Sequence, residues 1–257
     1  MDRQIPTVNL LNTPVCILPL EQAAEQAVQY ARSASRPYAV GLTDVHVLTR
    51  ARHEERFRIA FHRFDFVCPD GMPLVWDINA QVDPTQKLTG RVSGAELMDT
   101  IIRKGTSGQP LVHFFLGGSE ALLADVSRVF REKYPAVVIG GIYSPPFGQW
   151  SDEENAKITG LIEQSGAHCV WVGLGCPKQE LWIGENLYQL PTAVFFSVGA
   201  AFAFHGGHVK RAPFLFQKLG LEWLYRVLME PRRLWKRYAT YIPLYCYYQI
   251  KDRMTAE

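Results

Sequence analysis

Six short apolar runs stand out along the chain: Pro37 to Leu42, Phe64 to Cys68, Leu111 to Leu116, Ala136 to Gly140, His168 to Val172 and Ala193 to Val198. Their apolar positions are continuous rather than alternating, the pattern of strands covered on both faces. Stretches of helical period separate them. One helical stretch is expected from about Val45 to Phe64. Ser93 with Glu96, and Ser151 with Glu154, have the spacing of a capping box, so helices are expected to start there. Strands alternating with helices imply parallel pairing. The expected fold is therefore α/β: a Rossmann-like, mainly parallel sheet with helices on both faces.

In such sheets ligands bind beyond the carboxyl ends of the strands. Polar or glycine-rich stretches fall at five such ends: Thr43-Asp44, Pro69-Asp70-Gly71, Gly117-Gly118, Gly173-Leu174-Gly175 and Gly199. The chain is long enough, at 257 residues, to bury a sizeable core. Net charge is only +2, but it is unevenly spread. From His208 onward ten basic residues face four acidic ones, which leaves −4 on the rest. A basic, aromatic tail suits phosphate-rich partners or an anionic membrane surface, or is simply a solvated face. The boundary near residue 208 suggests an α/β core over 1–207 and a helical, membrane-associating appendage over 208–257.

Five scattered cysteines form no CxxC pair, which fits a reducing compartment better than a disulfide framework or a zinc site. The histidines lack metal-ligand spacing, so neither metal nor cofactor is expected. The N-terminal stretch lacks a basic-then-apolar pattern, so no signal peptide is expected. No apolar run approaches the ~20 residues of a membrane helix.

Several residues are placed for chemistry, each with a plainer alternative. Asp70, in PDGMPL, is a helix cap or a general base. Arg91, between two glycines, is a surface arginine or a diphosphate ligand. Gly117 and Gly118, in FLGG, make a tight turn or let backbone approach a phosphate. VGLGCPKQE, from Val172 to Glu180, gathers Lys178, Gln179 and Glu180 at one helix start, more than capping requires. In the tail, Arg226, Arg233 and Arg237 fall within roughly 40° on an ideal helix, although Pro231 interrupts it. The surrounding aromatics suit an interfacial segment or a helix packed on the core.

Taken in order, PDGMPLVW, LTGRVSGAEL, FLGG, VGLGCPKQE, SVGAAFAFHGGHVKRAP and GLEWLYRVLMEPRRLWKRY resemble the WecG/TagA/CpsF family of bacterial glycosyltransferases. The resemblance implies transfer from a UDP-sugar, commonly UDP-N-acetylmannosamine or a related acid sugar. The acceptor would be a sugar on undecaprenyl diphosphate, and the products would be cell-surface polysaccharides. It implies inversion without a metal, by a protein cytoplasmic and peripheral on the inner face of the cytoplasmic membrane. Asp70 falls on the catalytic base. Thr43 and Arg91 fall on pocket positions, and Gln179 on one that holds the donor. Arg226 and Arg233 fall on tail arginines that offset leaving-group charge, with Lys236 or Arg237 as the third.

Two positions depart from the family pattern. Val45 stands where asparagine is usual, and Ala203 where the usual stretch is FDF. Val45 removes a hydrogen-bonding group; Ala203 matters less if only its backbone contacts the nucleotide. Both leave the donor sugar open. A non-catalytic sugar-nucleotide or lipid-binding module is the alternative. A nucleotide-dependent oxidoreductase is disfavoured, because no GxGxxG follows a strand. Nothing points to nucleic acid as a partner, and assembly into a homo-oligomer is left open.

Overall fold

The structure, a computed structural model, describes residues 5–213, 216 and 220–254, the side chains of Arg233 and Arg253 excepted. Six parallel strands form one sheet: β3 (Tyr38–Thr43), β4 (Phe66–Pro69), β5 (Val112–Leu116), β6 (Val138–Tyr143), β7 (Cys169–Val172) and β8 (Val194–Ser197). Their spatial order is β4-β3-β8-β7-β5-β6. These are the six apolar runs, with ends displaced by no more than three residues. A two-stranded antiparallel hairpin, β1 (Thr7–Leu10) and β2 (Thr13–Cys16), precedes them.

Alternation along each strand sends side chains to two different cores. Val40, Leu42, Cys169, Trp171, Val194 and Phe196 face one side, where α1 (Leu20–Ser33), α5 (Gly94–Gly105), α6 (Glu120–Lys133) and α9 (Ala201–His205) pack. Ala39, Val170, Val172 and Phe195 face the other, beneath α3 (Glu55–Phe61), α7 (Asp152–Gln164) and α8 (Lys178–Asn186). Both faces are thus covered, which is why the strands read as apolar throughout. The edge strand β6 is the exception and alternates exposed with half-buried positions.

The expected single helix over 45–64 is two: α2 (Val45–His53) and α3, broken at Glu54, which has an extended backbone. Ser93 and Ser151 cap α5 and α7 through the N–H of Glu96 and Glu154, as their spacing predicts. A third, smaller core joins the hairpin to Leu48, to α4 (Met72–Asn79) and to Tyr245 near the end of the chain.

The tail forms α10 (Glu222–Met229) and α11 (Pro231–Met254), separated at Glu230 ahead of Pro231. Along α2, Arg50 donates to the Tyr241 hydroxyl at 2.6 Å and Arg52 to Asp252 at 3.2 Å. Tyr245 donates to Asp77 of α4. Leu234 and Tyr245 are buried. Burying one such side chain contributes roughly 1.5–3 kcal/mol, against about 0–1 kcal/mol for an exposed ion pair. Apolar burial therefore outweighs the surface pairs in holding the tail down. No helix among the described residues is long and apolar enough to cross a membrane.

Candidate active site

The carboxyl ends of β3, β4, β7 and β8 open into one cavity of about 800 Å³, closed on its far side by α10 and α11. Each strand hands the chain to a short loop there. Asp44 follows β3, Asp70 follows β4, Gly173 to Cys176 follow β7, and Val198 to Ala200 follow β8; all line the cavity.

Asp70 is not used as a cap. The cap position of α4 is Gly71, and no side chain bonds that helix start. Asp70 Oδ1 is covered and finds no hydrogen-bond partner among the described residues. The side chain as a whole is 31% exposed, and its open part faces the cavity. Burial pushes the carboxyl up to about 7; Arg91 opposes the shift, and Asp44 and Glu222 add to it. A carboxylate with a pKa near neutrality is suited to taking a proton.

Arg91 lies beside it. One guanidinium nitrogen donates to the Asp70 carbonyl oxygen at 3.3 Å and stands 3.5 Å from Oδ1. The other pairs with Glu222 on α10. Asp44 caps α2 by accepting from the Val47 N–H at 2.9 Å through Oδ1, and takes Arg237 on Oδ2 at 2.6 Å. Burial pushes the Asp44 carboxyl up, but Arg237, His46 and the Val47 N–H outweigh it, and the net shift is downward. His46 sits edge-on to Tyr241; burial lowers its pKa to about 4, so it is neutral at pH 7.

Gln179 ties two loops together. Its Oε1 accepts from the N–H of Gly175 at 3.0 Å and of Gly199 at 3.2 Å, and its Nε2 donates to Glu180 at 2.7 Å. Both glycines have positive φ, +79° and +56°, a conformation that favours residues without a Cβ. Glu180 is fully buried against the cavity, and burial pushes its carboxyl up to about 7.

Among the residues singled out from the sequence, Asp70, Arg91, Gln179, Ala203, Arg226 and Arg237 line the cavity. Arg226 stacks over the Phe204 ring at 5.6 Å. Lys236 is exposed and does not line the cavity, so Arg237 is the cation that faces in. Arg233 lies on α11, with its side chain outside those described. Thr43 is fully buried beneath the cavity floor, between Leu42 and Asp44, which do line it. Gly117 and Gly118 do not line it. A Cβ on Gly117 would stand 2.8 Å from the Gly173 carbonyl, so close packing of two loops accounts for that glycine. Val45 lines the cavity and also packs in the third core.

The sequence did not point to Glu222, to the Asp44 contact with Arg237, or to the raised pKa of Glu180. Glu222 lies 131 residues from Arg91 and Arg237 lies 193 from Asp44. No local spacing encodes either pair.

Carboxylates and arginines gather at the carboxyl edge of a parallel sheet, with a basic helical segment closing over them, which is where an α/β protein binds its ligand. The model of the glycosyl transferase WecG/TagA/CpsF family matches residues 8–257, and the chain belongs to that family.

Proposed function

We propose that the protein transfers a sugar, N-acetylmannosamine or a related hexose or uronic acid, from a UDP-sugar to a sugar on undecaprenyl diphosphate. Inversion occurs at the anomeric carbon, without a metal, at the inner face of the cytoplasmic membrane, in cell-surface polysaccharide synthesis. The observation that carries this reading is the Asp70 carboxylate, uncapped and raised to about 7, in a cavity that also receives Arg226 and Arg237.

In one displacement the acceptor oxygen forms a bond to the anomeric carbon while the bond from that carbon to the diphosphate oxygen breaks. The acceptor proton passes to Asp70. The electron pair leaves with the diphosphate, where Arg226 and Arg237, with Arg233 from the family resemblance, offset the charge. Arg91 and Gln179 serve the donor side, Thr43 supports the floor, Ala203 borders the nucleotide, and the turn at Gly117-Gly118 packs behind the Gly173 loop that lines the cavity.

On this reading residues 1–207 bind the donor and residues 208–257 form the appendage that meets the membrane. Leu228, Met229, Trp235, Ile250 and Met254 are exposed on it, interspersed with exposed Arg232, Lys236 and Lys251. Apolar side chains among cations suit an anionic lipid surface.

The test is UDP release by the purified full chain from a panel of UDP-sugars, with a short-chain lipid-diphosphate acceptor. Turnover that Asp70→Asn abolishes supports the reading. UDP binding without turnover across the panel would instead favour a binding module.

A further inference from the structure

Glu222 has no task in the transfer step, yet it is a buried acid, 9% exposed, in the first turn of α10. Its carboxylate pairs with Arg91 Nη2. The other nitrogen, Nη1, is anchored on the Asp70 carbonyl oxygen and stands 3.5 Å from Asp70 Oδ1 without making a hydrogen bond to it. Arg91 thus sits between two carboxylates and is committed to the one supplied by the tail. An arginine free to turn would form the stronger two-pronged pair with Asp70.

We propose that Glu222 is a positioning residue: by holding Arg91, the docked tail keeps the guanidinium from closing over Asp70 and leaves that carboxylate free to accept the acceptor proton. The inference rests on the reading of Asp70 as the base. It gives α10 a role separate from that of its arginines. A docked tail arms the base, whereas an undocked tail releases Arg91 onto Asp70 and silences it.

The groups around Asp70 agree with this. Arg91 and Glu222 face it, as does Asp44 at the start of α2. The Gly94 N–H approaches from α5, Tyr238 from α11, and Cys68 lies two residues back on β4. Arg91 is the largest cationic influence on Asp70, ahead of Arg226 and Arg237 that line the same cavity, so its placement weighs most on how freely the carboxylate ionises. Losing Glu222 removes a negative neighbour and releases a positive one. Both changes favour the ionised form and lower the pKa of Asp70.

The experiment compares full-length wild type, Glu222→Gln and Glu222→Asp. Three readouts are taken: the pH profile of kcat/KM, a carbon-detected carboxyl NMR titration of Asp70 without substrate, and protease sensitivity of the tail. In Glu222→Gln the acid limb and the Asp70 titration should both move down by about one pH unit. Its plateau kcat should fall at least about tenfold, more than KM changes, because a paired carboxylate is a poorer base. Glu222→Asp should recover part of both. An unchanged Asp70 titration in Glu222→Gln, with rate loss that follows tail release alone, overturns the proposal and leaves Glu222 as an anchor. Should Glu222→Gln release the tail, the titration is read in the Arg91→Gln background instead. There the further Glu222→Gln change should move Asp70 less than half as far as it does beside Arg91; an equal shift overturns the proposal. Full turnover in Asp70→Asn would instead sink the assignment of the base. The titration needs no turnover, so the two failures are distinguishable.

Discussion

Arg237 of the last helix donates to Asp44 at 2.6 Å, and the same Asp44 carboxylate caps α2 through its other oxygen. One acid therefore joins the helix that follows the first sheet strand to the segment that closes the cavity. Arg237 is held by Asp44. A bound diphosphate would compete for the same guanidinium. Arg237→Ala should lower kcat by about 10²-fold, the scale for losing one donor to transition-state charge. Because it also leaves Asp44 without its cation, the tail should become more sensitive to limited proteolysis. Steady-state kinetics and a proteolysis time course check the two effects separately.

Arg226 makes a cleaner test of leaving-group stabilisation, since it faces the cavity over Phe204. Arg226→Ala should lower kcat by roughly 10²-fold or more, with a smaller change in donor KM. A rise in KM at constant kcat would assign Arg226 to ground-state binding.

Asp70 gives a pH prediction. Its carboxyl is raised to about 7 in the folded chain, and only the ionised form accepts a proton. The rate should therefore rise with pH and level off above about 7. Asp70→Asn should remove turnover while keeping or raising the melting temperature at pH 8, because it removes a half-buried carboxylate whose charge is disfavoured.

Glu180 tests the same physics through stability alone. Its folded pKa, about 7, lies above its ordinary value of 4.5, so between those values the folded state binds more protons than the unfolded. Stability should fall as pH rises through that window and level off above it. Glu180→Gln should flatten that part of the curve, as read by melting temperature from pH 4.5 to 8. An unchanged slope would mean that Glu180 is not the group responsible.

Removing the tail after His208 should abolish sedimentation with anionic vesicles and abolish sugar transfer. The sheet should remain folded by circular dichroism, because its two main cores contain no tail residue among those described. A truncated chain with full activity would show that the cavity needs no closure.

The six strands of the sheet were legible because burial on both faces leaves each a continuous apolar run. The two serine caps were legible because a serine three residues ahead of a glutamate marks a helix start, although the glutamate side chains bond to Arg211 and Tyr143 instead of closing the box. The β1-β2 hairpin was not: its turn is made by Leu11 and Asn12, both at positive φ, without the glycine that announces such a turn. The break at Glu54 was hidden because helical periodicity continues across it. At the site, the ordered motifs and the family resemblance marked Asp70, Arg91 and Gln179, and the structure brings all three to one cavity. Chain folding alone determines which acid meets which arginine. That is why Glu222 and Asp44 emerge as partners only in three dimensions.

The placement of α10 and α11 also has a consequence for the order of assembly. Synthesis runs from the amino end, so the sheet and every loop at its carboxyl edge are made before residues 222–237. A nascent chain can settle its core with the cleft still lacking Glu222, Arg226 and Arg237. If the proposed transfer is right, a partly made molecule would then hold its donor pocket without the means to spend the activated sugar, and competence would arrive with the final closure of the fold.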